Sequence, residues 1–196
     1  MSNAKYDGKY LRCDISFVRD AVVGGRLYSA EINEEVPNGV FGYMGATLAN
    51  KPEVKAFALP TAEDIKSNKE LYIVMKPEII ADEQFKDSGK IGTFRNPANK
   101  PFPIIRVQER DRVTLSQDYF TKADTAIAVG DAFVINTKGL LEYKETPAVA
   151  TESHKLVVTE IKKSHIANYL MYDESGAVLA PSAYNLITVE LMAVNK

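Results

Sequence analysis

One cysteine, two histidines and no tryptophan are what this chain of 196 residues has least of. Each shortage excludes something. With Cys13 alone there is no intrachain disulfide, which suits folding in a reducing cytosol. Cys13, His154 and His165 make up the whole supply of thiol and imidazole, too few and too scattered for an ordinary zinc site. The two histidines flank one expected strand at opposite ends, too far apart on an extended chain to share an ion, and are expected at the surface. No Gly-x-Ser-x-Gly elbow accompanies them, so the usual strand-to-helix serine nucleophile is missing. The absence of tryptophan weakens a sugar-stacking platform, and the ten tyrosines are scattered as core residues would be.

Long apolar runs are also missing. "LYIVM" and "AIAV" fall far short of the roughly 20 residues that a membrane-spanning helix needs. The opening "MSNAKYDGKYLR" lacks the apolar stretch of a secretory signal. A net charge of −2 gives no general attraction to nucleic acid or to anionic lipid. The basic clusters "RVQERDR" and "EIKKSH" are best explained as solvated strand faces. No membrane or nucleic-acid partner is expected.

What the chain does have is a succession of short β-branched and aromatic runs bounded by Gly, Pro, Asn and Asp. In "LRCDISFV", Leu11, Cys13, Ile15 and Phe17 alternate with Arg12, Asp14 and Ser16, which puts the apolar set on one face of a strand. "GGRLYSAEI", "EVKAFALP", "ELYIVMKPEI", "FPIIRV" and "DRVTLS" read as further strands. "VPNGVFGYMG", punctuated by Pro37, Asn38-Gly39, Gly42 and Gly45, reads as turn and loop. Thr61, with Asp64 three positions on, caps at most one or two helical turns. "AVGDAFVINTKGLLEYKE" is a complete hairpin: Gly130-Asp131 turns the chain, and "NTKG" closes it with Gly139 at a left-handed position. "HKLVVTEIKKS" and "YNLITVELMAV" are the last long strands, and Ile187, Val189 and Leu191 should face a core.

The expected fold is therefore mainly β, a small barrel or sandwich of short antiparallel strands and hairpins with at most short helices. A globule of this length buries roughly 70% of its unfolded surface, enough for a core without disulfides or metals. Residues 1–80 form a β-rich region, an arm or a first lobe, and 103–196 a barrel-like one, with the Gly-, Pro- and Asn-rich stretch 81–102 as loop or linker. One continuous domain fits the same pattern. Asp82, Glu83 and Asp87 leave a calcium loop open, without the alternating acids and glycine of an EF-hand. No catalytic, cofactor or metal set emerges from motif and spacing.

Three phrases, "IGTFRNPANKPFPIIRVQERDRVTLSQDYF", "VGDAFVINTKGLLE" and the closing "HKLVVTEIKKS" with "YNLITVELMAV", resemble a family of tailed-phage structural proteins encoded beside the major capsid protein. The resemblance runs from about Leu71 to Val194. It departs from the pattern at Arg110-Asp111, where Gly-Asp is expected, and at Asn99-Lys100, where a glycine-bearing turn is expected. It implies a non-enzymatic head decoration or cement protein, assembled in the host cytoplasm into the virion. Its partners would be the major capsid protein and further copies of itself. Contacts would then lie on the irregular segments Pro37 to Ala46 and Asp82 to Pro101, with Tyr43, Phe94 and Arg95 as anchors, because Arg and aromatics dominate interface energetics. Equally, these side chains could cap the barrel's own core. Two rival roles stay open: a tail or head-fibre module that binds a host receptor, and a small β-barrel enzyme whose carboxylates converge only in space.

Overall fold

A computed structural model describes residues 6, 9, 11–16, 24–67, 69–76, 94–122, 126–144, 154–164, 171–172, 178–179 and 184–192. It is mainly β. In chain order the strands are β1 (Cys13–Ile15), β2 (Leu27–Glu31), β3 (Phe41–Leu48), β4 (Lys51–Ala58), β5 (Tyr72–Val74), β6 (Phe102–Arg106) and β7 (Arg112–Ser116). They continue as β8 (Phe120–Thr121), β9 (Ala132–Ile135), β10 (Leu141–Tyr143), β11 (Lys155–Ser164), β12 (Met171–Tyr172), β13 (Val178–Leu179) and β14 (Tyr184–Met192). Helix α1 (Ala62–Lys66) starts at Thr61, whose side chain accepts from Asp64 N–H while the Asp64 carboxylate accepts from Thr61 N–H, a full capping box. A 3-10 turn, Gln117–Tyr119, separates β7 from β8. Among the described residues no helix is long and apolar enough to cross a membrane.

Strands β2, β4, β3, β5 and β6 close into a barrel in that order. All pairings in it are antiparallel except β2 with β4. Its interior is set by rings from strands that do not pair with each other. Phe57 on β4 meets Phe102 on β6, and Tyr28 on β2 meets Tyr72 on β5, both edge-to-face with centroids 5.8 Å apart. Here the structure corrects the reading of "VPNGVFGYMG": Phe41 to Leu48 is a strand. Gly42 does not break it. A side chain at Gly42 would overlap the Phe57 ring, so this glycine marks a close approach inside the barrel, not a turn.

The second layer is a seven-stranded sheet in the order β1-β7-β14-β11-β9-β10-β8. Its register explains the alternating sequence pattern. Ile15, Val113, Val189 and Val158 lie opposite one another in a row across four strands, and Cys13, Leu115, Ile187 and Ile161 form the next such row. Ile187 and Val189 are fully buried and Leu191 nearly so. Each such aliphatic contributes about 1.5–3 kcal/mol relative to exposure. These rows join the barrel residues Phe41, Ile73 and Ile105 in one continuous hydrophobic cluster. Sheet membership does not follow the chain: β1 pairs with β7, while β6 closes the barrel against β2.

The hairpin β9–β10 forms as its sequence indicates. Gly139 N–H donates to Asn136 O at 2.9 Å, Asn136 Oδ1 accepts from Lys138 and Leu140 N–H, and Gly139 has φ 71°. Its tip is not free. Gly139 O accepts from Phe41 N–H at 2.9 Å, and Tyr6 donates its hydroxyl to Lys138 O at 2.9 Å. Any Cβ at Gly139 would collide with Val40 and Phe41. The turn is thus docked on the barrel, and only glycine satisfies both its backbone angle and its clearance.

The sheet also contains a local twofold that the letters conceal. Take an axis through the facing residues Val157 of β11 and Glu190 of β14. It exchanges β9 with β7, pairing Ala132 with Arg112 and Phe133 with Val113. The turns before those strands then coincide in detail. Arg110 N–H donates to Leu191 O at 2.8 Å and Leu191 N–H to Asp111 O at 3.1 Å. Gly130 N–H donates to Val158 O at 2.8 Å and Val158 N–H to Asp131 O at 2.9 Å. In both turns the aspartate N–H donates to the carbonyl three residues back at 3.1 Å. Each carboxylate also accepts from that residue's N–H, Gln108 at 2.7 Å and Ala128 at 2.8 Å.

Candidate functional site

Each of these two turns carries an aspartate that a cation neutralises. Asp111 pairs with Arg26 at 2.6 Å, both side chains about nine-tenths buried. Since Arg106 N–H donates to Arg26 O, this pair ties the barrel wall to the sheet. Asp131 pairs with Lys122, whose ammonium also sits 4.5 Å above the centre of the Tyr143 ring. Burial pushes the Asp131 carboxyl up, but the bonds from Lys122 and Ala128 N–H outweigh it and hold the group below the ordinary carboxylate range. Both carboxylates are thus matched to cations and backbone donors, not to a second acid.

Two buried amides and a tyrosine fix loops. Asn38 accepts from Lys76 N–H at 3.0 Å and donates to Lys76 O at 2.8 Å. Asn96, fully buried, donates to Val36 O at 3.0 Å and to Asn38 Oδ1 at 3.1 Å. The Tyr119 hydroxyl donates to Asn38 O. Asn38 thus satisfies both backbone groups of Lys76, and Asn96 adds a second donor to Val36 O, which its own N–H already bonds in a β-bridge.

The expected contact residues have internal partners. Tyr43 is 5% exposed, and its hydroxyl donates to Asp64 O at 3.1 Å. Arg95, half-buried, donates to Phe94 O at 2.8 Å, Tyr6 O at 3.2 Å and Lys9 O at 3.3 Å, tying Tyr6 and Lys9 to the segment before β6. Phe94 lies half-buried beside it. The structure thus places Arg95 and Phe94 together and Tyr43 apart from them.

His154, expected at the surface, is buried instead, with its ring centroid 6.3 Å from that of Tyr43. Desolvation lowers its pKa, and a hydrogen bond with the Lys69 backbone opposes this only in part. Cys13 is buried in the core as a small hydrophobe. His165, Asp82, Glu83 and Asp87 lie outside the described residues, and among the described ones no group of three or more His, Cys, Asp or Glu converges as a metal would require.

The outer face of the sheet is polar. Asp14, Thr114, Thr188 and Glu160 lie opposite one another in a row, with the two threonine hydroxyls 2.9 Å apart. A bulge at Thr159 puts consecutive polar residues on this face, and a groove of about 490 Å³ opens between Ser16, Arg112, Thr114, Thr159, Lys162 and Thr188. Arg112 is bonded to Glu190 at 2.7 Å and Lys162 to Glu160 at 3.0 Å, so the charges on it are balanced.

A different residue stands out at the sheet's end. Arg110 and Asn99 are the two described non-glycine residues with positive φ, at 70° and 57°. The sequence marked Arg110 as standing where glycine is expected and Asn99-Lys100 as standing where a glycine-bearing turn is, but gave neither a role. Compared with known protein families, characterised proteins and solved structures, the chain finds no match.

Proposed function

We propose that the chain is a non-enzymatic virion protein that decorates or cements a phage capsid, binding the major capsid protein lattice as a homo-oligomer. The reading begins from the resemblance of residues 71–194. The observation that carries it is the backbone at Asn99 and Arg110. The family phrase calls for glycine at position 110 and for a glycine-bearing turn at Asn99-Lys100, and both Arg110 and Asn99 hold the left-handed conformation that favours glycine. The use of the buried acids supports it further: Asp111 and Asp131 hold the fold together, each against one cation. A protein that coats a repeated surface needs a stable β-scaffold and exposed turns, and a docked hairpin, a closed barrel and two charge-locked turns supply the first.

The test is co-sedimentation of the purified chain with empty capsid shells from the phage that encodes it, with light scattering of the chain alone. Saturable binding to shells and a defined oligomer are expected. Binding to host-surface glycans with none to shells would overturn the reading in favour of a receptor-binding role. Turnover of a glycoside would overturn it in favour of an enzyme.

A further inference from the structure

Arg110 occupies a backbone conformation that costs any L-residue with a Cβ, and arginine lacks the short polar side chain that lets asparagine tolerate it at position 99. The local twofold supplies an internal control. The equivalent position in the second turn is Gly130, φ 94°, with the same two backbone bonds around it. The turn therefore forms with glycine, and the Arg110 side chain is not needed to build it. That side chain is exposed, and no described residue bonds or pairs with its guanidinium. Strain kept where the fold gains nothing from it points to function.

Two exposed apolar residues adjoin, in sequence, the residues that bond this turn. Leu27 and Met192 are exposed apolar side chains, 42% and 43% accessible. Met192 follows Leu191, which bonds Arg110, and Leu27 follows Arg26, which pairs with Asp111. We propose that Arg110 is the contact residue through which the chain grips a carboxylate on the capsid subunit. This rests on the function proposed above. A guanidinium fork binds a carboxylate through two parallel bonds, which a lysine cannot reproduce, and exposed arginine is a recurrent interface anchor.

The test pairs stability with binding in the same variants, Arg110→Gly and Arg110→Lys. Arg110→Gly is expected to raise Tm by a few degrees and to weaken co-sedimentation with empty shells about tenfold or more. Arg110→Lys should leave Tm near that of the native chain and bind shells at an intermediate level. A residue that served the fold would move stability and binding in the same direction. Arg110→Gly shells bound as tightly as by the native chain would overturn the inference and leave the proposed function standing. A lower Tm for Arg110→Gly would overturn it too. If the native chain itself fails to bind shells, both readings fall.

Discussion

The two acidic turns, Gln108 to Asp111 and Ala128 to Asp131, make the same backbone bonds to the same places on the central strand pair. Yet they share one residue in four. What repeats is the aspartate, which closes the turn with its side chain and meets a cation, and the left-handed residue before it. The cation comes from different sources: Arg26 reaches across from the barrel, whereas Lys122 comes from the sheet's own edge, just after β8. The same local structure thus does two jobs. The first turn joins layers and the second fixes the start of a hairpin. A turn's geometry is dictated by one side chain and one backbone angle, and its partners are free to differ.

The largest effect should come from removing the aspartates. Asp111→Ala removes the carboxylate that the buried Arg26 pairs with and the acceptor for Gln108 N–H, a loss of about 3 kcal/mol by denaturant titration. Asp131→Ala should cost a similar amount, since its pair is buried to much the same degree. Two very different values would break the equivalence of the turns. Next come the exchanges at the left-handed position. Gly130→Arg should destabilise by about 1–2 kcal/mol through backbone strain alone, because space is open there. Arg110→Gly should stabilise by about 1 kcal/mol or less, the strain relieved being partly offset by glycine's greater freedom when unfolded. Opposite signs for the two exchanges would sharpen the comparison.

The smallest effect is in pH. His154 is held neutral, its folded pKa below the ordinary 6.5. Its contribution is complete above that value and is lost as pH falls from 6.5 through the depressed folded pKa, because the unfolded chain takes up the proton first. Asp131, also depressed, adds its own loss only below the ordinary carboxylate value of 3.8. The melting temperature should therefore fall between pH 7 and 5, and His154→Phe should flatten that segment while leaving the drop below pH 4.

Local features were legible in the sequence and long-range ones were not. The "NTKG" turn and the Thr61 cap are decided within four residues, and both form as read. The alternation in β7 and β14 was legible because one face meets the core throughout. Gly42 misled because its role is set by Phe57 on the next strand, so a spacing glycine looks like a breaker. His154 misled because its cover is Tyr43, distant in sequence. The twofold stayed hidden because Arg110 disguises a glycine position. As for the contact residues, their types were sound guesses for an interface. Type alone does not say that Arg95 will be used on three carbonyls of its own chain.

The docked tip of the β9–β10 hairpin has a consequence for how the molecule opens. The amide proton of Phe41 belongs to the barrel, but its acceptor belongs to the sheet, so it can exchange with solvent only when the layers part. The exchange rate of that one proton therefore reads the free energy of separating them. If it matches the slowest protons of β11 and β14, barrel and sheet melt as one cooperative body.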